Sequence, residues 1–154
     1  MRKMKYCVVV PVYNSETHVS DVINDVLQYT QDIIVVNDGS TDKSWEVIQH
    51  LSKEDKNVRG IKFRRNYGKS PALFCGFKAA QGNIVITMDA DLQDSPDEIP
   101  ELYRMIVVDG YDLVSGWKKK RYDNAITKNI PSKIYNAFAR KVTGIKLHDM
   151  NCGL

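Results

Sequence analysis

The chain has 154 residues, a hydrophobic content of 43% and a net charge of +3, which suits one globular domain with a buried core and excludes a disordered chain. It contains no apolar run near the roughly 20 residues that span a bilayer, and its start lacks the pattern of a secretory signal peptide. Cys7, Cys75 and Cys152 are widely separated, without the spacing of a metal site. Cys7 lies in an apolar strand pattern and Cys75 in a helix pattern, and both are predicted to be buried thiols in a reducing compartment.

Strand and helix patterns alternate from the start of the chain, which predicts an α/β fold around a mainly parallel sheet. Buried strands are predicted over 6–12, 33–36 and 58–63. Amphipathic helices follow the first two strands and extend to about Tyr29 and Leu51.

A third helix is predicted over 72–80, with Ser70 as its N-cap and Pro71 in its first turn. A fourth buried strand is predicted over 84–88. The remaining predicted elements are a helix from Pro96, a fifth strand over 111–115 and a late amphipathic helix that contains 134–142.

The fourth predicted strand ends in Asp89-Ala90-Asp91. In extended backbone the side chains of residues i and i+2 point the same way, so the two carboxylates would lie together and repel each other unless a cation is present. Carboxylates, with the amide oxygen of Gln93, suit a hard divalent cation, Mg²⁺ or Mn²⁺, that bridges to substrate phosphates.

The same stretch is also typical of a helix-capping loop. Asp94 or Ser95 would be the N-cap, Pro96 the first helical residue, and acidic side chains would follow in the first turn. The metal and capping interpretations are compatible, because capping needs only the residues from Asp94 onward.

Polar loops follow the first, second and fourth predicted strands. Ligands of open α/β sheets bind outside the carboxyl ends of the strands, so these loops should line one cleft. Neither the Gly-x-Gly-x-x-Gly fingerprint nor the P-loop pattern is present, and an ordinary NAD or ATP site is therefore not expected. An aromatic, two acids and a lysine accompany the metal pair and together fit a nucleoside diphosphate: Tyr13, Glu16, Asp38 and Lys69.

The segment from 117 to 146 is strongly basic, with nine Lys or Arg residues and one acid, whereas the rest of the chain has 13 basic and 18 acidic residues. Such a segment suggests a phosphate-bearing ligand, an anionic membrane surface or nucleic acid, with a solvated basic face as the alternative. A nucleic-acid module is disfavoured, because the segment lacks the interleaved aromatics of a stacking platform and would leave the acidic cleft unexplained.

Five segments in order resemble family-2 glycosyltransferases, above all the branch that transfers a sugar to a polyprenyl phosphate, which includes dolichol-phosphate mannosyltransferase. The segments are VVPVYN at 9–14, VNDGSTD at 36–42, RNYGK at 65–69, MDADLQ at 88–93 and DMNCG at 149–153. The resemblance implies the glycosyltransferase A fold, a Rossmann-like three-layer α/β/α architecture with a mainly parallel central sheet. It also implies a single nucleotide-sugar-binding domain over 1–154 whose C-terminal part is missing.

On the base side of the cleft, the resemblance implies that Pro11 and Tyr13 frame the nucleotide base. Asp38 would accept a hydrogen bond from a uracil or guanine N–H, although an Asp before Gly39 also forms turns, which is its alternative role. Glu16 matches the acid of the family's first loop only with a shift of one position.

On the phosphate side, the resemblance implies that Asp89 and Ala90 contact the sugar nucleotide and that Asp91 and Gln93 bind Mg²⁺ or Mn²⁺. Lys69 would neutralise phosphate or position its loop, with a solvated lysine as the alternative. The reaction implied is an inverting transfer in which the cation stabilises charge on the leaving diphosphate.

In the wider family an Asp near the place of Asp149 is the general base for a hydroxyl acceptor. A prenyl phosphate is already anionic near neutral pH, so with that acceptor Asp149 would position substrates; a local cap is its other interpretation. The basic residues Lys118, Lys119, Lys120 and Arg121 could meet a lipid phosphate or anionic headgroups.

The sequence therefore predicts a metal-dependent hexosyltransferase that uses a UDP- or GDP-sugar, works at the cytoplasmic face of a membrane through parts absent from this chain, and has no nucleic-acid partner. A soluble enzyme with a sugar-hydroxyl acceptor, in polysaccharide or cell-envelope synthesis, is the second interpretation. A nucleotidyltransferase is disfavoured, because Pro11-Val12-Tyr13-Asn14 stands where those enzymes usually have a Gly-rich loop.

Overall fold

The computed structural model of the protein describes residues 5–116. The chain divides into two compact units, residues 1–111 and 112–154, and of the second unit only 112–116 are described, without helix or strand. The prediction of a single domain stays a prediction. The late helix and the residues assigned to the acceptor lie outside the described part: Lys118, Lys119, Lys120, Arg121 and Asp149.

Four parallel strands form one sheet in the order β3-β2-β1-β4. The strands are β1 Tyr6–Val12, β2 Ile33–Asn37, β3 Val58–Lys62 and β4 Ile84–Thr87. The helices are α1 Val19–Leu27, α2 Ser44–Glu54, α3 Lys69–Ala79 and α4 Ile99–Val107, with a 3₁₀ turn Pro96–Glu98 before α4. Among residues 5–116, no helix has the length and apolar character that a membrane span requires.

Helices cover both faces of the sheet. Gly76 of α3 lies against Val9 of β1, and Gly60 of β3 lies beneath Trp45 and Ile48 of α2. In the register of the sheet Val9 aligns with the residue before Gly60, so Val9 and Gly60 face opposite ways. Since α1 packs against α2, α1 and α2 share one face and α3 covers the other, which confirms the three-layer α/β/α prediction.

The two central strands explain why the sequence predicted the sheet well. Every residue of β2 is buried, and the five residues from Cys7 to Val12 other than Pro11 are buried too. A strand covered on both faces needs a continuous apolar run rather than alternation, and β-branched residues suit it.

Arg59 of β3 fixes the C-terminal end of α3. Its guanidinium donates to the Asp32 carboxylate at 2.7 Å and to the carbonyl oxygen of Ala79 at 3.1 Å. The last carbonyls of a helix have no partner within the helix, so Arg59 satisfies one of them and ties it to the start of β2.

Cys7 lies in the core with apolar side chains of β1, β2 and α3. Burial, with a contribution from the nearby Asp32 carboxylate, raises the pKa of the Cys7 thiol to about 12. The thiolate is the reactive form of cysteine, so Cys7 is chemically inert in the folded chain. Cys75 of α3 is only partly buried, whereas the sequence predicted it buried.

Several predicted boundaries differ from the observed ones by one to three residues, and two of these differences fall next to the polar loops. Helix α3 begins at Lys69, with Gly68 as its N-cap at φ 99°, rather than at an N-cap Ser70; glycine adopts this positive φ without strain and so ends the preceding loop early. The fourth strand stops at Thr87, although the N–H of Met88 still donates to the carbonyl of Val9 at 3.1 Å.

The predicted strand over 111–115 is not formed. In the part of the chain that the structure describes, this segment pairs with no strand, and Tyr111 and Leu113 are 53% and 70% exposed. The N–H of Tyr111 instead donates to the carbonyl of Met105 at the end of α4. A short segment with several apolar residues does not make a strand by itself, because a strand also needs a neighbour for its backbone hydrogen bonds.

We expect Gly76→Ala to destabilise the chain. A Cβ at this position would lie 2.3 Å from Cγ1 of Val9, and overpacking of a core typically costs about 1–3 kcal/mol. Alanine gains up to about 1 kcal/mol of helix propensity, so urea denaturation should show a net loss of up to about 2 kcal/mol. Ser70→Ala, exposed in the same helix, is the control and should change stability by less than about 0.5 kcal/mol.

A second variant separates the clash from other effects of the substitution. Val9→Ala removes the methyl group that Gly76→Ala meets, so the double variant should be more stable than the sum of the two single effects predicts. Strict additivity would contradict the close packing of α3 on β1.

Candidate functional site

The loops after β1 and β2 are joined by hydrogen bonds between backbone and side chains. Three successive N–H groups of the first loop, those of Asn14, Ser15 and Glu16, donate to side chains of the second. Their acceptors are Ser40 Oγ (3.0 Å), Ser44 Oγ (2.9 Å) and Asp42 Oδ2 (3.1 Å). We call these residues, 14–16 and 40–44, the loop clamp.

The clamp is reciprocal. The N–H of Thr41 donates to Asn14 Oδ1 at 2.9 Å, and the N–H of Lys43 donates to Glu16 Oε2 at 2.8 Å. Asn14 adopts φ 50°, a left-handed conformation that asparagine tolerates better than most residues. Glu16, which the sequence assigned to the nucleotide, therefore supports the N-terminal end of α2 in this structure.

Asp42 accepts three hydrogen bonds within the clamp, one of them from the N–H of Glu16. Its Oδ1 accepts the N–H and the hydroxyl of Ser44, at 3.0 and 2.5 Å. Partial burial favours the neutral carboxyl, but the hydrogen bonds from Ser44 and from the Glu16 backbone outweigh it and hold the pKa of Asp42 below its usual value.

Asp38 holds a third loop in place. This carboxylate is only 3% exposed, and its two oxygens accept the N–H groups of Tyr67 and Gly68, both at 2.8 Å. A Cβ at Gly39 would lie 2.1 Å from the backbone of Arg65, so the two loops touch through their main chains. Asp38 thus positions the segment before α3, and its predicted contact with the base stays a prediction.

The turn-forming role proposed for Asp38 belongs to its neighbour. Asn37 Oδ1 accepts the N–H of Ser40 at 2.8 Å, the local turn that Asn and Asp side chains favour. The sequence motifs predicted no role for Asn37, for Asn14 or for the serines of the clamp. The density of Asn, Asp, Ser and Thr at 37–44 was the available signal, because such side chains compete for backbone groups.

Lys69 and Asp89 form an ion pair, with 2.6 Å between Nζ and Oδ1. Lys69 is the first residue of α3, where the helix dipole disfavours a cation, and the Asp89 carboxylate offsets that cost. The pair joins the loop after β4 to the segment that Asp38 positions. The structure therefore brings Asp38, Lys69 and Asp89 together along one edge of the sheet, as the sequence predicted.

The Asp-Ala-Asp motif does not continue the strand. Residues 90 and 91 form a turn, so the prediction that Asp89 and Asp91 share one face of a strand is wrong. Asp91 is exposed and its Oδ1 accepts the N–H of Gln93 at 3.1 Å, while Ala90 is buried.

Of the two residues predicted as the N-cap, Ser95 rather than Asp94 occupies that position, with Pro96 next and Asp97 and Glu98 in the first turn. Asp94 is 7% exposed, and its Oδ2 accepts the N–H of Asp89 at 2.9 Å, which closes the loop from 89 to 94. Ser95 occupies the N-cap position before Pro96 but makes no capping hydrogen bond through its side chain.

The turn after β4 can nevertheless contribute metal ligands. Within residues 5–116 no three His, Cys, Asp or Glu side chains are grouped to hold a cation. Mg²⁺ and Mn²⁺ commonly need only one or two protein oxygens when substrate phosphates and water complete the coordination. The exposed Asp91 carboxylate and Gln93 amide fit that demand.

Two tyrosines are exposed near these loops. Tyr13 follows β1 and is 49% exposed, which leaves its ring available to a base. Tyr67 is 52% exposed; the Arg65 guanidinium lies 4.9 Å from its ring centroid, and Phe63 packs edge-on at 5.6 Å. The family resemblance implied contact of Tyr13 with the nucleotide base but predicted no role for Tyr67.

Comparison with known proteins gives a consistent result. The model of Glycosyl transferase family 2 matches residues 7–153. An undecaprenyl-phosphate 4-deoxy-4-formamido-L-arabinose transferase of Shewanella sediminis is 35% identical, over 96% of this chain and 46% of its own. A dodecaprenyl-phosphate galacturonate synthase of Rhizobium johnstonii is 32% identical, over 100% of this chain and 48% of its own. The chain thus spans less than half the length of these relatives.

Solved structures share the fold at lower identity. The mannosyltransferase PcManGT from Pyrobaculum calidifontis, in complex with GDP-Man and Mn²⁺, has a TM-score of 0.63 and 20% identity and covers 75% of this chain and 35% of its own. TarS 1–349 of S. aureus, in complex with UDP-GlcNAc, has a TM-score of 0.60 and 21% identity, over 81% of this chain and 38% of its own. The predicted fold class is confirmed.

We expect the stability contributed by Asp42 to depend on pH. Because its folded-state pKa is lowered, the ionised carboxylate stabilises the folded chain at neutral pH, and this contribution is lost as pH falls through that lowered pKa. Urea denaturation should show wild type about 1 kcal/mol more stable than Asp42→Asn at pH 7, and the two should converge in acid.

Glu46→Gln is the matched control for Asp42→Asn. It removes one charge from the first turn of the same helix but lies outside the loop clamp. A stability gap between wild type and Asp42→Asn that persisted unchanged into strong acid would contradict the assignment.

Proposed function

The chain belongs to glycosyltransferase family 2, and on that basis we propose that the protein transfers a sugar from a nucleotide-diphosphate sugar to a polyprenyl phosphate. The observation that carries the proposal is the single edge at which the loop clamp, Asp38, Lys69 and Asp89 are connected. Relatives that share about a third of its residues are named for undecaprenyl- and dodecaprenyl-phosphate, which supports this class of acceptor.

The donor would lie along that edge. Tyr13 offers its ring to the nucleobase. Asp38 accepts the N–H of Gly68, the residue before Lys69. A diphosphate would compete with Asp89 for the Lys69 ammonium, whose Nζ lies 2.6 Å from Asp89 Oδ1. Asp89 released from Lys69 would then be available to the sugar hydroxyls.

Asp91 and Gln93 are the residues that would hold Mg²⁺ or Mn²⁺. When bound, the cation would supply Lewis-acid stabilisation of the leaving diphosphate. The related fold of PcManGT, which was solved with GDP-Man and Mn²⁺, supports a divalent cation. Ligand-dependent thermal unfolding distinguishes Mg²⁺ from Mn²⁺ and a UDP-sugar from a GDP-sugar.

The acceptor side of the proposal lies at residues outside the described part. Lys118, Lys119 and Arg121 would bind the lipid phosphate at the cytoplasmic face of a membrane, and Asp149 would position the substrates. A phosphate oxygen is already ionised, so in-line attack on the anomeric carbon needs no general base. A sugar-hydroxyl acceptor would need one, with Asp149 in that role.

We expect one nucleoside diphosphate to stabilise the chain in a metal-dependent way. Thermal unfolding would be measured with UDP, GDP, CDP and ADP, each with and without Mn²⁺ or Mg²⁺; a ligand at 100 times its Kd adds about 2.7 kcal/mol. The stabilisation should disappear in Asp91→Asn and persist in the exposed α1 variant Asp21→Asn. Equal stabilisation of wild type and Asp91→Asn would contradict the metal assignment.

The acceptor class has its own test, made on the full-length protein. With undecaprenyl phosphate and the nucleotide sugar that binds, Asp149→Asn should leave the pH profile of kcat unchanged, because no proton is removed from the acceptor. Loss of a base normally lowers kcat about 10²- to 10⁴-fold. Such a loss, together with transfer to a sugar hydroxyl but not to the lipid phosphate, would favour the second interpretation.

A further inference from the structure

The outer face of α3 carries large apolar side chains in solvent. Phe74 is 59% exposed and Phe77 is 47% exposed, and Lys78 beside them is exposed as well. Residues three and four apart are neighbours on a helix surface, so the two rings and the ammonium form one patch. The inner face of the same helix buries Ala72 and Gly76 on the sheet.

The patch belongs to the most basic part of the described chain. From 56 to 88 the sequence has no Asp or Glu but seven basic residues, Lys56, Arg59, Lys62, Arg64, Arg65, Lys69 and Lys78. Lys62 lies over Trp45 of α2, and Lys69 is paired with Asp89. Arg64, Arg65 and Lys78 are exposed, in the loop before α3 and on α3 itself.

Exposed aromatics among basic side chains are typical of a helix that lies on an anionic bilayer. Phenylalanine enters the headgroup region with its apolar ring, while Lys and Arg reach the lipid phosphates. Each basic residue near such a surface contributes about a fivefold gain in binding. Soluble surfaces seldom leave such rings in water in one patch.

Two other occupants fit less well. A second copy in a two-fold arrangement would set this basic face against itself. A single-stranded nucleic acid would stack bases on ring faces, but cations already cover a face of Phe74 (Lys78 Nζ at 5.6 Å) and of Tyr67 (Arg65 Cζ at 4.9 Å).

We propose that the outer face of α3, formed by Phe74, Phe77 and Lys78 together with Arg64 and Arg65, binds the surface of an anionic lipid bilayer. The N-terminal end of α3 carries Lys69, so the candidate donor site lies within one helix length of that surface, about 16 Å for 11 residues. The proposal concerns binding alone and does not depend on which sugar, acceptor or metal the protein uses.

Sedimentation with lipid vesicles tests it on the 154-residue chain. The probes are vesicles of phosphatidylcholine alone and of equal parts phosphatidylcholine and phosphatidylglycerol. Wild type should bind the anionic vesicles preferentially. Phe74→Ser/Phe77→Ser should weaken that binding about tenfold or more, and Arg64→Ser/Lys78→Ser about thirtyfold, an effect that shrinks at high salt.

Matched variants away from α3 control for charge and apolarity. Lys53→Ser/Lys56→Ser removes two exposed charges at and just after the C-terminal end of α2, and Val108→Ser/Tyr111→Ser removes two side chains that are 66% and 53% exposed. Both should bind like wild type. Since 117–146 is also basic, variants are compared on the same chain, which keeps that contribution constant.

Several results would overturn the proposal. Both α3 variants could bind anionic vesicles as tightly as their controls, or lose no more than the controls lose. Sedimentation velocity could instead show that wild type self-associates and that Phe74→Ser/Phe77→Ser abolishes this without changing vesicle binding, which would assign the face to a second copy. Melting temperatures of all variants are measured alongside, and the charge variant decides the outcome if the aromatic variant is unfolded.

Discussion

A buried carboxylate at the end of β2 determines how the candidate site is assembled. Asp38 is nearly inaccessible to solvent, and a charge in that position requires hydrogen-bond donors of good geometry. The N–H groups of Tyr67 and Gly68 provide them. The start of α3 is therefore fixed relative to the sheet, and through Lys69 it fixes Asp89. Removal of this one carboxylate would leave three loops without their common reference point.

The loop clamp also depends on side chains that accept backbone N–H groups. The loop clamp connects the ends of β1 and β2 through side chains that accept backbone N–H groups in both directions. Loops on a rigid sheet usually carry the functional groups of a protein. Here most polar side chains of the two loops form hydrogen bonds with the other loop. The side chains left exposed at this edge include the rings of Tyr13 and Tyr67 and the oxygens of Asp91 and Gln93.

The sheet was predictable because β1 and β2 are continuous apolar runs, which leave few alternatives for a segment of that length. The fold also followed from five short segments that resemble one family. What the sequence could not indicate was the partner of each polar side chain. Glu16, Asp38 and Asp94 all looked like ligand-binding or capping residues, yet each accepts backbone N–H groups from a distant or neighbouring loop, a contact that depends on the folded chain. The segment at 111–115 shows the same dependence, since its pattern was right for a strand but no neighbour is described for it.

Chemical labelling of Cys7 would report the opening of the central sheet. Its thiol sits at the middle of the core and is held protonated far above neutral pH, so an alkylating reagent can modify it only when β1 separates from α3. Cys75, partly exposed on α3, reacts without such opening. The rate of Cys7 labelling relative to that of Cys75 therefore reports how often β1 separates from α3. Any ligand that binds at the carboxyl ends of the strands should lower the labelling rate of Cys7 relative to Cys75, even where no turnover can be observed.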